Sequence, residues 1–180
     1  KPHIEAYKKF QDKFYRMTNQ IGKEQYLVPY LMSSHPGSTL NDAVELALFL
    51  KSLKMRPEQV QDFYPTPGTL STCMFYTELD PYTLEKVYVP KTAEEKGMQR
   101  ALLQYFRPQN QRKCIEALQR AHRTDLIGNT PDCLVKPDAQ YLRELNERKQ
   151  KQAEKGRGHG ASHGKANGNS RGNTHGRNDA

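Results

Sequence analysis

Two segments share a pattern of a buried strand, then a proline–glycine turn, then a hydroxyl side chain. The first is Ser33-Ser34-His35-Pro36-Gly37-Ser38-Thr39, the second Phe63-Tyr64-Pro65-Thr66-Pro67-Gly68-Thr69. Glycine lets a backbone turn sharply and approach a ligand. A hydroxyl there either hydrogen-bonds a ligand or caps the next helix, and for Thr39 the cap is the commoner use. His35 adds an acid–base side chain to the first segment. No carboxylate stands beside it, and Asp42 and Asp62 are the candidates further along. The three cysteines, Cys73, Cys114 and Cys133, are odd in number and far apart. They imply neither a disulfide framework nor a zinc knuckle, and free thiols point to a reducing compartment, the cytoplasm. Cys114, between Lys113 and Ile115, reads as a small apolar residue of a helix. His159, His163 and His175 lie among glycines, either as a weak metal tract or as a solvated linker, and the composition favours the linker.

The elements that must carry these segments follow from periodicity. Ile4, Tyr7, Phe10, Phe14 and Met17 recur at threes and fours and predict a helix over 2–20. Tyr26–Met32 is apolar on both faces, as expected of a strand buried in a parallel sheet. Pro29 removes a ladder donor and argues for an edge or a bulge there. Ser38 or Thr39 caps a helix running to about Lys54, with Leu40, Ala43, Val44, Ala47, Leu48 and Leu50 as its apolar positions. Val60–Tyr64 reads as a second strand. Helix, strand, helix, strand in this order signals βα units and a parallel sheet. Residues 70–90 give a weaker pattern, with a short strand expected at Val87–Val89. Thr92 and Glu95 form a capping box for a helix over 93–106. A further helix runs from Pro108 to about His122, and Asp125–Gly128 closes the compact part. Residues 138–155 are a polar helical run.

Composition divides the chain unevenly. The 180 residues carry a net charge of +8. Residues 1–142 hold 19 Lys/Arg against 16 Asp/Glu, whereas 143–180 hold nine against four. The excess is therefore a basic tail on a nearly balanced globular part. Residues 156–180 contain seven Gly, four Asn and three His. Such a segment cannot bury enough surface to offset its ordering entropy, and disorder is expected. The tail could touch nucleic-acid phosphates weakly and without sequence preference, so a basic RNA-binding accessory module is the alternative function. It lacks the aromatic interleaving of single-strand binders. No apolar run is long enough for a transmembrane helix, and no membrane partner is expected. The chain starts at Lys1 with no leader-like apolar stretch, which suggests a longer parent.

Several long stretches are similar to a known family. Tyr26-Leu-Val-Pro-Tyr-Leu-Met-Ser-Ser-His-Pro-Gly-Ser-Thr-Leu-Asn-Asp-Ala-Val-Glu-Leu46 resembles the late strand and following helix of a radical SAM barrel. Gln59-Val-Gln-Asp-Phe-Tyr-Pro-Thr-Pro-Gly-Thr-Leu-Ser-Thr-Cys-Met-Phe-Tyr76 resembles the next strand and its loop. Val87–Lys91, Met98–Tyr105 and Asp125–Gly128 extend the likeness to about residue 137. Together they resemble the C-terminal part of YgiQ-type radical SAM proteins, whose reaction is unassigned. The resemblance implies an α/β fold: a remnant of a partial (β/α) barrel over 1–69, a mainly helical extension of unknown function over 70–137, and a polar helix with a disordered tail over 138–180. It implies a [4Fe–4S] cluster and S-adenosylmethionine in the intact parent. Such a cluster needs three close thiolates, one per iron, with the fourth iron left for the cofactor. This sequence has no Cys-x3-Cys-x2-Cys triplet, and Cys73, Cys114 and Cys133 are not replacements for it. No cofactor is expected on this chain alone, and its first partner would be the missing N-terminal radical SAM region. In the intact parent His35, Gly37, Thr66 and Gly68 would line the carboxyl rim near the cofactor or substrate.

Overall fold

A computed structural model describes residues 4–157. These residues fall into two compact units, one ending at Pro137 and the other beginning at Asp138. The first unit is mostly helical around one small parallel sheet. Helix α1 spans Ile4–Gln20, β1 Leu31–Ser33, α2 Leu40–Ser52 and β2 Val60–Asp62. Helices α3 (Leu70–Thr77), α4 (Ala93–Leu103) and α5 (Gln111–Arg120) follow, with single 3-10 turns at Pro108–Asn110 and Thr124–Leu126. In the second unit α6 covers Ala139–Arg157, and the Asp138 carboxylate accepts from Tyr141 N–H in its first turn (2.7 Å). The disorder expected over 156–180 and the three tail histidines fall outside the described residues from 158 onward, while Gly156 and Arg157 close α6.

Strands β1 and β2 pair in parallel, Leu31 opposite Val60 and Ser33 opposite Asp62. Parallel partners need a crossover, and α2 supplies it. Its start is set by a capping box: the Thr39 hydroxyl accepts from Asp42 N–H, and the Asp42 carboxylate accepts from Thr39 N–H. Ala43, Val44, Ala47 and Leu50 make its buried face. Helix α4 begins with the same device, Thr92 and Glu95. Its buried Met98, Ala101, Leu102 and Leu103 pack between α2, the sheet and α5. Cys114, Ile115, Ala117 and Leu118 complete this core from α5. Each of the Val, Leu, Ile and Met side chains among these contributes roughly 1.5–3 kcal/mol by leaving water, and each alanine less.

Four expectations change. The strand expected over Tyr26–Met32 pairs only at Leu31–Ser33, and that over Val60–Tyr64 only at Val60–Asp62. The first run is not buried on both faces either: Tyr26, Val28 and Tyr30 are 73%, 88% and 71% exposed. Within 70–90 the helix α3 appears where no element was expected. Thr69 caps it by accepting from Thr72 N–H, and Glu78 ends it in the left-handed conformation (φ 56°). Its residues, rich in Thr, Tyr, Phe and Cys, are poor helix formers, which hides it from pattern reading. Val87–Val89 forms no strand. It is held by Val87 N–H to Glu78 O and by Tyr88 O, which accepts from Gly37 N–H. Finally, α4 stops at Leu103, and the helix expected from Pro108 begins as a 3-10 turn.

A buried glutamine ties these pieces together. Gln99 of α4 is 1% exposed. Its carbonyl oxygen accepts from Ser34 N–H (2.9 Å) and its amide donates to Ser38 O (2.8 Å). Gln99→Leu leaves both backbone groups unpaired, each costing about 1–3 kcal/mol. Urea unfolding of the chain is expected to show a loss of about 2–4 kcal/mol; a change below the error of the measurement would show that the glutamine does not hold this loop.

Candidate functional site

The carboxyl ends of β1 and β2 lie side by side, so the two proline–glycine segments meet there. Their turns have the same construction. Gly37 and Gly68 both take positive φ, 86° and 79°, where a side chain is strained. Two residues beyond Gly37, and immediately after Gly68, Thr39 and Thr69 cap α2 and α3. The competition between capping and ligand binding is thus resolved for both threonine hydroxyls. Thr66 contributes its carbonyl oxygen, which accepts from the Thr69 and Thr72 hydroxyls (3.0 and 2.6 Å). Gly68 faces open space, and a Cβ on Gly37 would meet only Val87 Cγ1 at 3.8 Å. Gly37 is required by its backbone angle, not by crowding.

His35 is the best-oriented polar side chain of the rim. Its Nδ1 lies 2.8 Å from Pro36 O, and its Nε2 lies 2.9 Å from Ser71 Oγ in the first turn of α3. A carbonyl oxygen only accepts, so Nδ1 carries the proton and Nε2 takes the Ser71 hydroxyl proton. The ring stands edge-on to Phe63 (centroids 5.2 Å), which in turn packs on Phe75 (5.7 Å). Neither candidate carboxylate serves His35. Asp42 is committed to the cap of α2. Asp62 accepts from the Ser33 hydroxyl (2.6 Å) and pairs with Arg100 of α4 (2.8 Å). Ser34 precedes His35 in the left-handed conformation (φ 62°), buried, with its hydroxyl unpartnered by any described residue. A strained, buried polar residue at a strand end is a mark of functional sites.

Sequence reading found His35, Gly37, Thr66 and Gly68, and all four lie on the loops leaving the two strands. It missed Ser71, Gln99 and Arg100. These come from elements remote in sequence, and no local signal marks them. A cavity of about 830 Å³ lies elsewhere, lined by residues that precede the strands, including Tyr26, Val28 and Arg56, and by Gln61 of β2.

The thiols do not form a cluster-binding set. Cys73 is exposed on α3, Cys114 is buried and donates to Ala101 O (3.2 Å), and Cys133 lies beside Thr130. Burial pushes the Cys114 thiol up to about 12. Among the described residues no group of three or more His, Cys, Asp or Glu side chains is placed to hold a metal ion. Nor is any described helix long and apolar enough to cross a membrane.

With this geometry in hand, comparison with known proteins is informative. The family model described as a domain of unknown function, DUF3362, matches residues 58–180. The chain belongs to this family. The DUF3362 chain is also 57% identical over 136 residues to a UPF0313 protein of Clostridium perfringens strain SM101, covering 76% of this chain and 20% of the relative. A UPF0313 protein of Clostridium botulinum strain 657 is 58% identical over 135 residues, 75% of this chain and 21% of its own length. The DUF3362 chain therefore spans about a fifth of the length of the curated relatives it matches. No solved structure matches it.

Two measurements test the site. A two-dimensional proton–nitrogen spectrum at high pH is expected to show His35 as the Nδ1–H tautomer, and Ser71→Ala should shift the Nε2 resonance most; an Nε2–H tautomer would refute the assignment. Cys114 sets a pH limit. Its thiol has an ordinary value of 9.0 and one of about 12 in the fold. The unfolded chain then binds fewer protons above pH 9, so stability falls as pH rises from 9 towards 12. Below pH 9 both states keep the proton and the contribution is whole. Between pH 9 and 11 the chain should lose about 1 kcal/mol per pH unit more than Cys114→Ala, read from urea midpoints; parallel curves would show that the thiol does not contribute.

Proposed function

We propose that this chain is the C-terminal part of a radical SAM [4Fe–4S] enzyme of the UPF0313 type, and that its two strand ends form part of that enzyme's reaction rim. The carrying observation is the parallel pair β1–β2, joined through α2, with His35 and both proline–glycine turns at the carboxyl ends. Ligands of parallel α/β folds gather at that end of the strands. The resemblance of residues 26–46 and 59–76 to late radical SAM strands supports the reading, and so does a relative five times as long. The thiols of this chain do not suit a cluster, so the ligating cysteines belong to the rest of the enzyme. Within the chain, His35, Gly37, Thr66 and Gly68 are the residues assigned to the cofactor or substrate. His35 is held in one tautomer by Pro36 O, Gly37 and Gly68 let the backbone turn over the strand ends, and Phe63 packs edge-on against the imidazole.

The intact Clostridium perfringens relative tests this. Purified without oxygen, it should carry about four iron atoms per chain with visible sulfide-to-iron absorbance, and should consume S-adenosylmethionine only when reduced. The present chain, reconstituted with iron and sulfide in the same way, should bind no stoichiometric cluster. A relative devoid of iron, or a stable cluster on this chain alone, would overturn the proposal.

A further inference from the structure

Most hydroxyls around the two turns serve the backbone. Thr39 and Thr69 cap α2 and α3, and Thr72 donates to Thr66 O. Thr77 reaches back to Cys73 O, the usual habit of a hydroxyl inside a helix. Ser71 does none of these. Its half-buried hydroxyl, in the first turn of α3, bonds the His35 imidazole instead, Oγ to Nε2 at 2.9 Å. Leu70 and Cys73 on either side are exposed, so a small molecule can reach this hydroxyl.

The imidazole is prepared from its far side. Nδ1 donates to Pro36 O (2.8 Å), which leaves Nε2 as the basic nitrogen facing the Ser71 hydroxyl. Phe63 fixes the ring edge-on, with centroids 5.2 Å apart. A hydroxyl, a base within hydrogen-bond reach and a third group that orients the base make up the arrangement that activates a serine. Acyl transfer also needs donors for the charge that develops on the substrate oxygen. Leu70 and Ser71 open α3, and among the described residues nothing accepts from either N–H. The next one, Thr72 N–H, is already bonded to the Thr69 hydroxyl (3.2 Å). First-turn N–H groups point out of a helix end and suit an anion, and here one of the two free donors belongs to the serine itself.

We propose that Ser71 and His35 form a nucleophile–base dyad that cleaves activated carboxylic esters, with the N–H groups of Leu70 and Ser71 receiving the oxyanion. Ser71 Oγ attacks the acyl carbon while Nε2 takes the hydroxyl proton. The ester C–O or C–S bond then breaks, and the leaving group departs with that proton. Water attacks the acyl-serine, His35 again takes a proton, and the carboxylic acid leaves as Oγ regains its hydrogen. The missing carboxylate defines the substrate class. The imidazolium formed in each step faces the neutral Pro36 O, because Asp42 is held in the cap of α2 and Asp62 by Ser33 and Arg100. A cation so weakly supported favours leaving groups that need little help from a proton, which are phenols and thiols rather than amines. The dyad uses the same rim as the proposed function and does not depend on its radical chemistry.

A fluorophosphonate probe tests the dyad, since it phosphonylates an activated serine with fluoride as the leaving group. The mass of the native chain should rise by a single adduct, and peptide mapping should place it on Ser71. The adduct should be absent from Ser71→Ala and from the chain unfolded in urea, and Cys73→Ala should label as fully as the parent chain. His35→Gln keeps an acceptor for the Ser71 hydroxyl but no base, so its labelling should slow by ~100-fold or more. With 4-nitrophenyl acetate the native chain should release a burst of nitrophenolate equal to the chain concentration. Absence of an adduct at Ser71 on the native chain would overturn the proposal. So would labelling that is equally fast in urea, which needs no variant to fold, or equally fast in a folded His35→Gln. The iron content of the Clostridium perfringens relative reports on the radical SAM reading, so the two can fail independently.

Discussion

The side-chain amide of Gln99 is the interaction on which the arrangement of the strand ends depends. It is buried in α4, and it spans the loop after β1 by bonding Ser34 on one side and Ser38 on the other. A buried amide is stable only when its donor and its acceptor are both used. That condition fixes the distance between α4 and the sheet and holds Ser34 in the left-handed conformation. His35 then follows in one direction only, towards Ser71. Beside it Arg100, the next residue of α4, reaches Asp62, which also takes the Ser33 hydroxyl. One turn of α4 thus anchors both strand ends, through a neutral amide on one and an ion pair on the other.

The two ends of the small sheet are used differently. At the carboxyl end nearly every polar group has a partner, and two glycines with positive φ let the backbone turn over it. At the other end the chain runs extended without a ladder and shows aromatic side chains to water. A well-satisfied rim is rigid, because each hydrogen bond there restricts another. An unpaired edge with apolar flanks is one of the features that natural proteins cover or blunt. The sequence does neither at Tyr26–Met32, which has no charged residue at all. Among the described residues the helical core is closely packed, whereas the two-stranded sheet keeps an unpaired edge.

The helical part has its own logic. Helices α2, α4 and α5 bury a continuous set of small and branched side chains, with Cys114 acting as one of them. The acidic residues of the first turns, Asp42, Glu94 and Glu95, sit where the helix dipole favours them. Glu95 carries a further duty, since the Thr92 hydroxyl and then the Tyr88 phenol bond it and hold its carboxyl below the usual range. Burial, reinforced by Glu95, raises the Tyr88 phenol to about 12. The link from α4 back to the 87–90 segment is therefore chemical as well as steric. That segment in turn supplies Tyr88 O to Gly37 N–H, so the loop that gave no pattern in the sequence supports the first proline–glycine turn.

Local features of the sequence by themselves determined the helices α1, α2, α4 and α5, a hydroxyl cap on α2, the Thr92–Glu95 capping box of α4, the two turning glycines and the parallel order of the strands. Each of these is decided along the chain itself, by periodicity, by a cap, by a conformation open to glycine or by the succession of elements. Tertiary structure alone decided what those features serve. Ser71 meets His35 across 36 positions and Gln99 meets Ser34 across 65. No local signal exists for such pairs, because a hydroxyl or an amide looks the same in the chain whether it is solvated or buried. Strand length was decided the same way. Tyr26–Met32 has the residues of a seven-residue strand, but a ladder needs a neighbour, and this chain provides one for only three residues. Backbone hydrogen bonds in a sheet always belong to two segments, so one segment's sequence cannot say how far they extend.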